Sequence, residues 1–201
     1  MKSKFERKLE KVKEQAIKEN IPIIMDETLT KIKQTLKELN KTNINKILEI
    51  GTATGYSALC FSQILSENGQ IDTIEKDKER IIKAKENIKI LEGNQKINIY
   101  EGDAVEILKN MNNNYDLIFI DASKSKYPIF LEESLRMLNQ NGIIFADNVL
   151  YKGYVMSDYN KHKQRTAVTH LREFIKNATE NKELNTEISE VGDGLAIIYR
   201  I

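Results

Sequence analysis

From position 46 onward the chain alternates short apolar runs with longer amphipathic ones. The short runs are KILEI at 46–50, IDTIE at 71–75, INIY at 97–100, YDLIFID at 115–121 and GIIFAD at 142–147, each bounded by Gly, Asn or Asp. Runs of this length predict strands. Between them, the segments 56–65, 78–91, 104–111 and 127–138 are helix-like. Strand and helix repeated in this way predict a parallel sheet with helices on both faces, although the order of strands is not readable from the pattern. Upstream, Leu29, Ile32, Leu36 and Leu39 lie at helical spacing and predict a helix over 26–40 with Asp26 as its cap. After Asp147 a polar loop containing Gly153 leads to a helix over about 166–178. The segments 187–191 and 195–201 flank Gly192-Asp193-Gly194 and predict a β-hairpin. An antiparallel hairpin closing a mostly parallel seven-stranded sheet sets this α/β chain apart from an ordinary dinucleotide-binding fold.

A chain of 201 residues with 40% apolar content is long enough for one domain with a substantial core. One domain over 1–201 is expected, with 1–45 as a helical cap on a core of 46–201. Lys and Arg number 31 against 30 Asp and Glu, so total charge gives no sign of a polyanion partner. The local balance differs: residues 1–46 hold 12 Lys and Arg against 7 acids, and 151–176 hold 6 against 2. Those segments are either solvated faces or surfaces for phosphate. The single cysteine, Cys60, excludes an internal disulfide, fits a reducing compartment and reads as a core residue. The N-terminus is charged throughout, and no apolar run approaches the roughly 18 residues of a membrane span. A cytoplasmic protein with no membrane partner is expected.

The first strand runs into Glu49-Ile50-Gly51-Thr52-Ala53-Thr54-Gly55 and then a helix, a turn in which backbone and helix N-terminus can meet a nucleotide cofactor. Ala53 stands where the dinucleotide fingerprint needs its second glycine, which tilts the choice away from NAD. Glu75, about 20 residues on, ends the second strand where a carboxylate can accept from the hydroxyls of an adenosine ribose. Asp103 follows the third strand, placed either for an adenine amino group or as the cap of the next helix. Asp121 closes the fourth strand, and Asp147-Asn148 closes the fifth. Two carboxylates and an amide carbonyl on one rim form a hard, all-oxygen half-shell suited to Mg²⁺, Mn²⁺ or Ca²⁺. Lys124 is close enough to overhang that pocket, where burial and an ion would lower its pKa and let it accept a proton. His162 and His170 show no triad arrangement and read as surface or substrate-adjacent.

The stretches ILEIGTATGYSAL, IDTIEKD, EGDA, FIDASKSKY, FADNVLYKG and GDGLAIIYR together resemble the cation-dependent O-methyltransferases that include the catechol and caffeoyl-CoA enzymes, over essentially residues 20–201. The resemblance implies a Rossmann-like class I methyltransferase fold and S-adenosylmethionine as methyl donor. It implies that Glu49, Gly51 and Ser57 contact the methionine part, with Met25 near its carboxylate, that Glu75 binds ribose, and that Asp103 and Ala104 lie near adenine. It further implies a divalent ion on Asp121, Asp147 and Asn148, Lys124 as candidate general base, and a homodimer. Within the family, ENIPIIMDE, DNVLYKG and RTAVTHLREF look most like the bacterial tRNA 5-hydroxyuridine methyltransferases, making Lys152 and Arg165 candidates for contact with the tRNA anticodon region.

That resemblance implies chelation of two adjacent substrate oxygens and attack of the resulting oxyanion on the sulfonium methyl group. Competing readings are an O-methyltransferase for a small catechol-like phenol, a catalytically inactive RNA-binding or interaction module, and an NAD-dependent reductase. The phenol reading asks for an aromatic entrance, for which the chain offers Tyr127, Tyr151, Tyr154 and Tyr159. Retention of all the ligand candidates argues against the inactive module, and Ala53 with the terminal hairpin argues against the reductase.

Overall fold

The computed structural model describes residues 2–91, 94–158 and 164–201; Tyr159 and His162 lie outside these described residues. Seven strands form one sheet: β1 (Ile44–Ile50), β2 (Leu65–Glu75), β3 (Lys96–Glu101), β4 (Tyr115–Ile120), β5 (Leu138–Asp147), β6 (Leu184–Ser189) and β7 (Leu195–Arg200). Their order is β3-β2-β1-β4-β5-β7-β6. The first five pair in parallel, whereas β7 runs antiparallel to both β5 and β6. The fold is thus the mostly parallel, hairpin-closed α/β sheet that the alternation predicted.

Side chains of successive strand residues leave the sheet on opposite faces. Ile47, Ile71, Leu117, Phe119, Ile143 and Phe145 join Leu9, Ile32, Leu36 and Phe61 in one core. Leu48, Ile50, Ile118, Ile120 and Ile144 join Leu108, Phe130, Leu131, Leu171 and Phe174 in the other. Both faces are therefore covered, as an all-apolar parallel strand requires. The first core takes α1 (Lys4–Lys18), α2 (Asp26–Glu38) and α3 (Tyr56–Phe61). The second takes α5 (Ala104–Asn110), α6 (Tyr127–Met137) and α7 (Arg165–Glu180), while α4 (Lys78–Asn87) follows β2. Cys60 is buried in the first core, and burial pushes its thiol up to about 11. Among the described residues no helix is long and apolar enough to cross a membrane.

Several boundaries depart from the pattern. β2 begins at Leu65 rather than 71, because the polar stretch 65–70 pairs with β1 through a bulge and the Ser66 hydroxyl donates to Asn45 Oδ1. The preceding helix is correspondingly short, and β5 likewise begins at Leu138, across a bulge from Tyr115. Polar residues in an edge-like extension carry no hydrophobic period to read. Asp26 does not cap α2; the cap position is Met25, without a side-chain hydrogen bond, and Asp26 is the first helical residue. The helix at 4–18 is started by a capping box in which Ser3 Oγ accepts from Glu6 N–H and Glu6 accepts from Ser3 N–H.

Candidate active site

Strands β1 and β4 are neighbours whose following connections lead to opposite halves of the sheet, and a crevice opens beyond their C-terminal ends, where parallel folds place ligands. It is a cavity of about 490 Å³ floored by Gly51, Ala53, Glu75, Gly102, Asp103 and Asp121. Strand ends β1 to β4 thus each contribute to one rim.

Gly51 sits at φ +110°, and a Cβ there would lie 2.1 Å from the Asp121 carbonyl oxygen. The glycine is required by the backbone at the end of β4, in addition to the close ligand approach that the sequence suggests. Ala53 takes φ +46° and donates its N–H to Glu75 Oε2 at 2.9 Å. Glu75 Oε1 accepts from the N–H groups of Lys76 and Asp77 at 2.9 and 3.0 Å. The carboxylate is therefore pinned by three backbone donors, and of its roughly four acceptor positions about one stays available to a ligand. Asp103 combines its two expected positions: it caps α5 by accepting Val105 N–H at 3.0 Å, and it lines the cavity together with Ala104.

Glu49 lies beneath the loop with no exposure and does not reach the cavity wall. Its Oε2 accepts the Thr73 hydroxyl at 2.5 Å, while Oε1 has no hydrogen-bond partner. Burial pushes the carboxyl up to about 7, against the pull of the nearby Ser57 hydroxyl and the hydrogen-bonded Thr73 hydroxyl. An unpaired buried acceptor of this kind fits a cationic donor such as the ammonium of an amino acid. Ser57 lines the cavity above it.

At the other end, Lys124 Nζ donates to Asn148 Oδ1 at 2.9 Å and to Asp121 Oδ1 at 3.1 Å. Asp147 is buried, with Oδ1 accepting the Asn148 N–H at 2.8 Å, and burial together with the nearby Asp121 charge pushes its carboxyl up to about 7. Burial pulls Lys124 down, but Tyr127 and Asp121 outweigh it and hold the ammonium above its ordinary range. The expected lowering includes a bound ion; the Asp121 carboxylate alone, facing the amine directly, acts the other way. Among the described residues no three His, Cys, Asp or Glu side chains gather around one point; the donor set is two carboxylates and an amide. Its oxygens are hard and excess in negative charge, and those of Asp121 and Asn148 already meet on a cation, the Lys124 ammonium. That chemistry fits Mg²⁺, Mn²⁺ or Ca²⁺.

Other expected residues stand farther off. Met25 is 42% exposed and does not line the cavity, where Pro22, Ile23 and Ile24 take its place. Lys152 and Arg165 are exposed and outside the cavity lining. His170 is half-buried on α7. The sequence reading missed Arg80, Phe130 and Asp193, all of which line the cavity. Asp193 was legible only as the middle of a Gly-Asp-Gly turn. In the fold its carboxylate accepts the Lys152 N–H, and the Asp193 and Gly194 carbonyls accept from Leu150 and Val149, binding the hairpin to the loop after β5.

The O-methyltransferase family profile matches residues 2–201. The chain is 33% identical over 173 residues to the caffeoyl-CoA O-methyltransferase of Populus kitakamiensis, covering 81% of this chain and 73% of that one. It is 34% identical over 116 residues to the catechol O-methyltransferase of Niastella koreensis, covering 56% and 52%. Among solved structures, a Staphylococcus aureus protein provisionally described as a caffeoyl-CoA O-methyltransferase superposes with TM-score 0.84 at 34% identity, over 96% of this chain and 92% of that one. An O-methyltransferase of Bacillus cereus, solved with S-adenosylhomocysteine, shares the fold at TM-score 0.84 and 23% identity, over 97% and 91%. Family and fold together remove the reductase and the inactive-module readings: this chain belongs to the O-methyltransferase family and is an enzyme that transfers a methyl group to oxygen.

Proposed function

We propose that the enzyme is S-adenosylmethionine- and divalent-metal-dependent and that it methylates 5-hydroxyuridine to 5-methoxyuridine at the wobble position of tRNA. The observation that carries the cofactor and metal parts is the single cavity with Glu75 and Asp103 at one end and the Asp121, Asn148 and Lys124 cluster at the other. The methyl donor supplies an electrophilic methyl group, and the ion, when bound, makes an acceptor hydroxyl more acidic. The chain's own part is positioning. Glu75 is preset by its backbone donors for a ribose hydroxyl, and Glu49 offers an unpaired acceptor below Ser57. Asp121, Asp147 and Asn148 would hold the ion. Lys124, which donates to Asp121 and Asn148, would serve as the base for the acceptor hydroxyl after releasing its own proton to solvent.

The tRNA part is supported by the resemblance of the ENIPIIMDE, DNVLYKG and RTAVTHLREF segments and by the local excess of Lys and Arg in 1–46 and 151–176. Lys152 and Arg165, exposed and outside the cavity, would be the candidates for contacts beyond the reacting base. A second substrate reading, a small catechol-like phenol, is favoured by the catechol and caffeoyl-CoA relatives and by Phe130 and Tyr151 in the cavity wall. Nucleoside mass spectrometry of unmodified tRNA incubated with the enzyme, Mg²⁺ and labelled S-adenosylmethionine separates them. Labelled 5-methoxyuridine that EDTA suppresses supports the proposal. Unlabelled tRNA beside a methylated catechol transfers the assignment to the phenol.

A further inference from the structure

One buried side chain touches Lys124 and the backbone at both strand ends of the cation cluster without lining the cavity. Tyr127, at the start of α6, has no exposure, and its hydroxyl donates to the Asp147 carbonyl at 2.7 Å and lies 3.3 Å from the Ile120 carbonyl. Those carbonyls end β5 and β4, directly before Asn148 and Asp121. The register of the two strands stops at Ile120 opposite Ala146, so strand pairing no longer sets the distance between the segments that carry the oxygens. On its far side Asp121 is tied to β1 through its N–H on the Ile50 carbonyl at 3.0 Å. The Tyr127 ring lies 5.5 Å from Lys124 Nζ, and Phe174 packs edge-on against it with centroids 5.4 Å apart. A phenylalanine would fill the same volume, so packing accounts for the ring and leaves the hydroxyl unexplained.

We propose that Tyr127 is a positioning residue: its hydroxyl fixes the spacing of the Asp121 and Asp147-Asn148 oxygens, and its ring face sets the reach of Lys124. The inference rests on reading those oxygens as the cation site. Groups that orient metal ligands from behind typically change metal affinity by about 10–100-fold when removed.

Mn²⁺ titration followed by electron paramagnetic resonance, on the purified protein and on Tyr127→Phe, tests it. The expected result is an Mn²⁺ dissociation constant raised by about tenfold or more in Tyr127→Phe, with calorimetric S-adenosylmethionine affinity unchanged. Phe174→Leu, which disturbs the ring's packing and spares the hydroxyl, should lower the melting temperature and leave Mn²⁺ affinity near that of the parent. Parent-like Mn²⁺ affinity in Tyr127→Phe overturns the positioning role alone. An unfolded Tyr127→Phe beside a folded Phe174→Leu also overturns it, making the hydroxyl a stability element. Absence of Mn²⁺ binding in the parent protein overturns the cation-site reading itself.

Discussion

Gly51 and the backbone of Asp121 are in contact so close that the position of a Cβ on residue 51 falls 2.1 Å from the Asp121 carbonyl oxygen. The cofactor loop and the cation cluster are therefore mechanically joined where β1 and β4 end. Gly51→Ala has to change both a φ of +110° and the spacing of the two strands. The expected cost is about 3 kcal/mol or more, seen as a lowered melting temperature with loss of cofactor binding. Parent-like melting and calorimetric binding would show that the two strand ends are free to separate.

Asp147 tests the proposed metal site apart from the proposed cofactor site. Its carboxylate is buried behind Asn148 and lies outside the cavity lining. Asp147→Ala is expected to abolish methyl transfer while calorimetry shows S-adenosylmethionine affinity largely retained. EDTA should reproduce that pattern in the parent enzyme. Unchanged turnover of the variant would remove Asp147 from the cation site.

Glu49 supplies a dependence on pH. Burial raises its carboxyl from 4.5 to about 7, so between these values the folded chain keeps a proton that the unfolded chain has lost. With more protons on the folded state, stability falls as pH rises through this window, by about 1.4 kcal/mol per unit, and the loss is complete above pH 7. Glu49→Gln removes that term. Denaturant unfolding without ligand should therefore show the variant gaining on the parent from pH 5 to 8, by about 3 kcal/mol in total. The same variant should bind S-adenosylmethionine more weakly, because an amide cannot match a carboxylate against an ammonium group. A pH-independent difference between the two proteins would refute the raised pKa.

Glu75 has two duties, holding the loop through Ala53 N–H and facing the cavity. Glu75→Ala should weaken cofactor affinity by about tenfold or more, the scale of a lost charge-assisted hydrogen bond. A calorimetric titration without loss would take the ribose role from Glu75.

The alternation of apolar runs sufficed for the five parallel strands and the hairpin, because strands covered on both faces leave a strong signal in the sequence. The candidate residues at the strand ends were legible for a related reason: polar groups that stop an apolar run lie on the rim of a parallel sheet. Leu65–Gln70 escaped notice because polar residues that gain their place by pairing leave no period. Arg80 and Phe130 escaped because a lone side chain on a helix does not announce which cavity it meets, and Asp193 because its fold-specific partners, the N–H groups of the 149–152 loop, are some 40 residues away in the chain.

The sequence by itself determined the element order, the rim and the chemical types available there, since these follow from hydrophobic period and the identity of residues at strand ends. Only the tertiary structure decided that Gly51 serves the Asp121 backbone, that Lys124 spans Asp121 and Asn148, that Glu49 lies below the loop with Oε1 unpaired, and that Tyr127 joins two strand ends. Each of these is a contact between residues distant in the chain or a consequence of burial, and distance and dielectric are properties of the packed molecule.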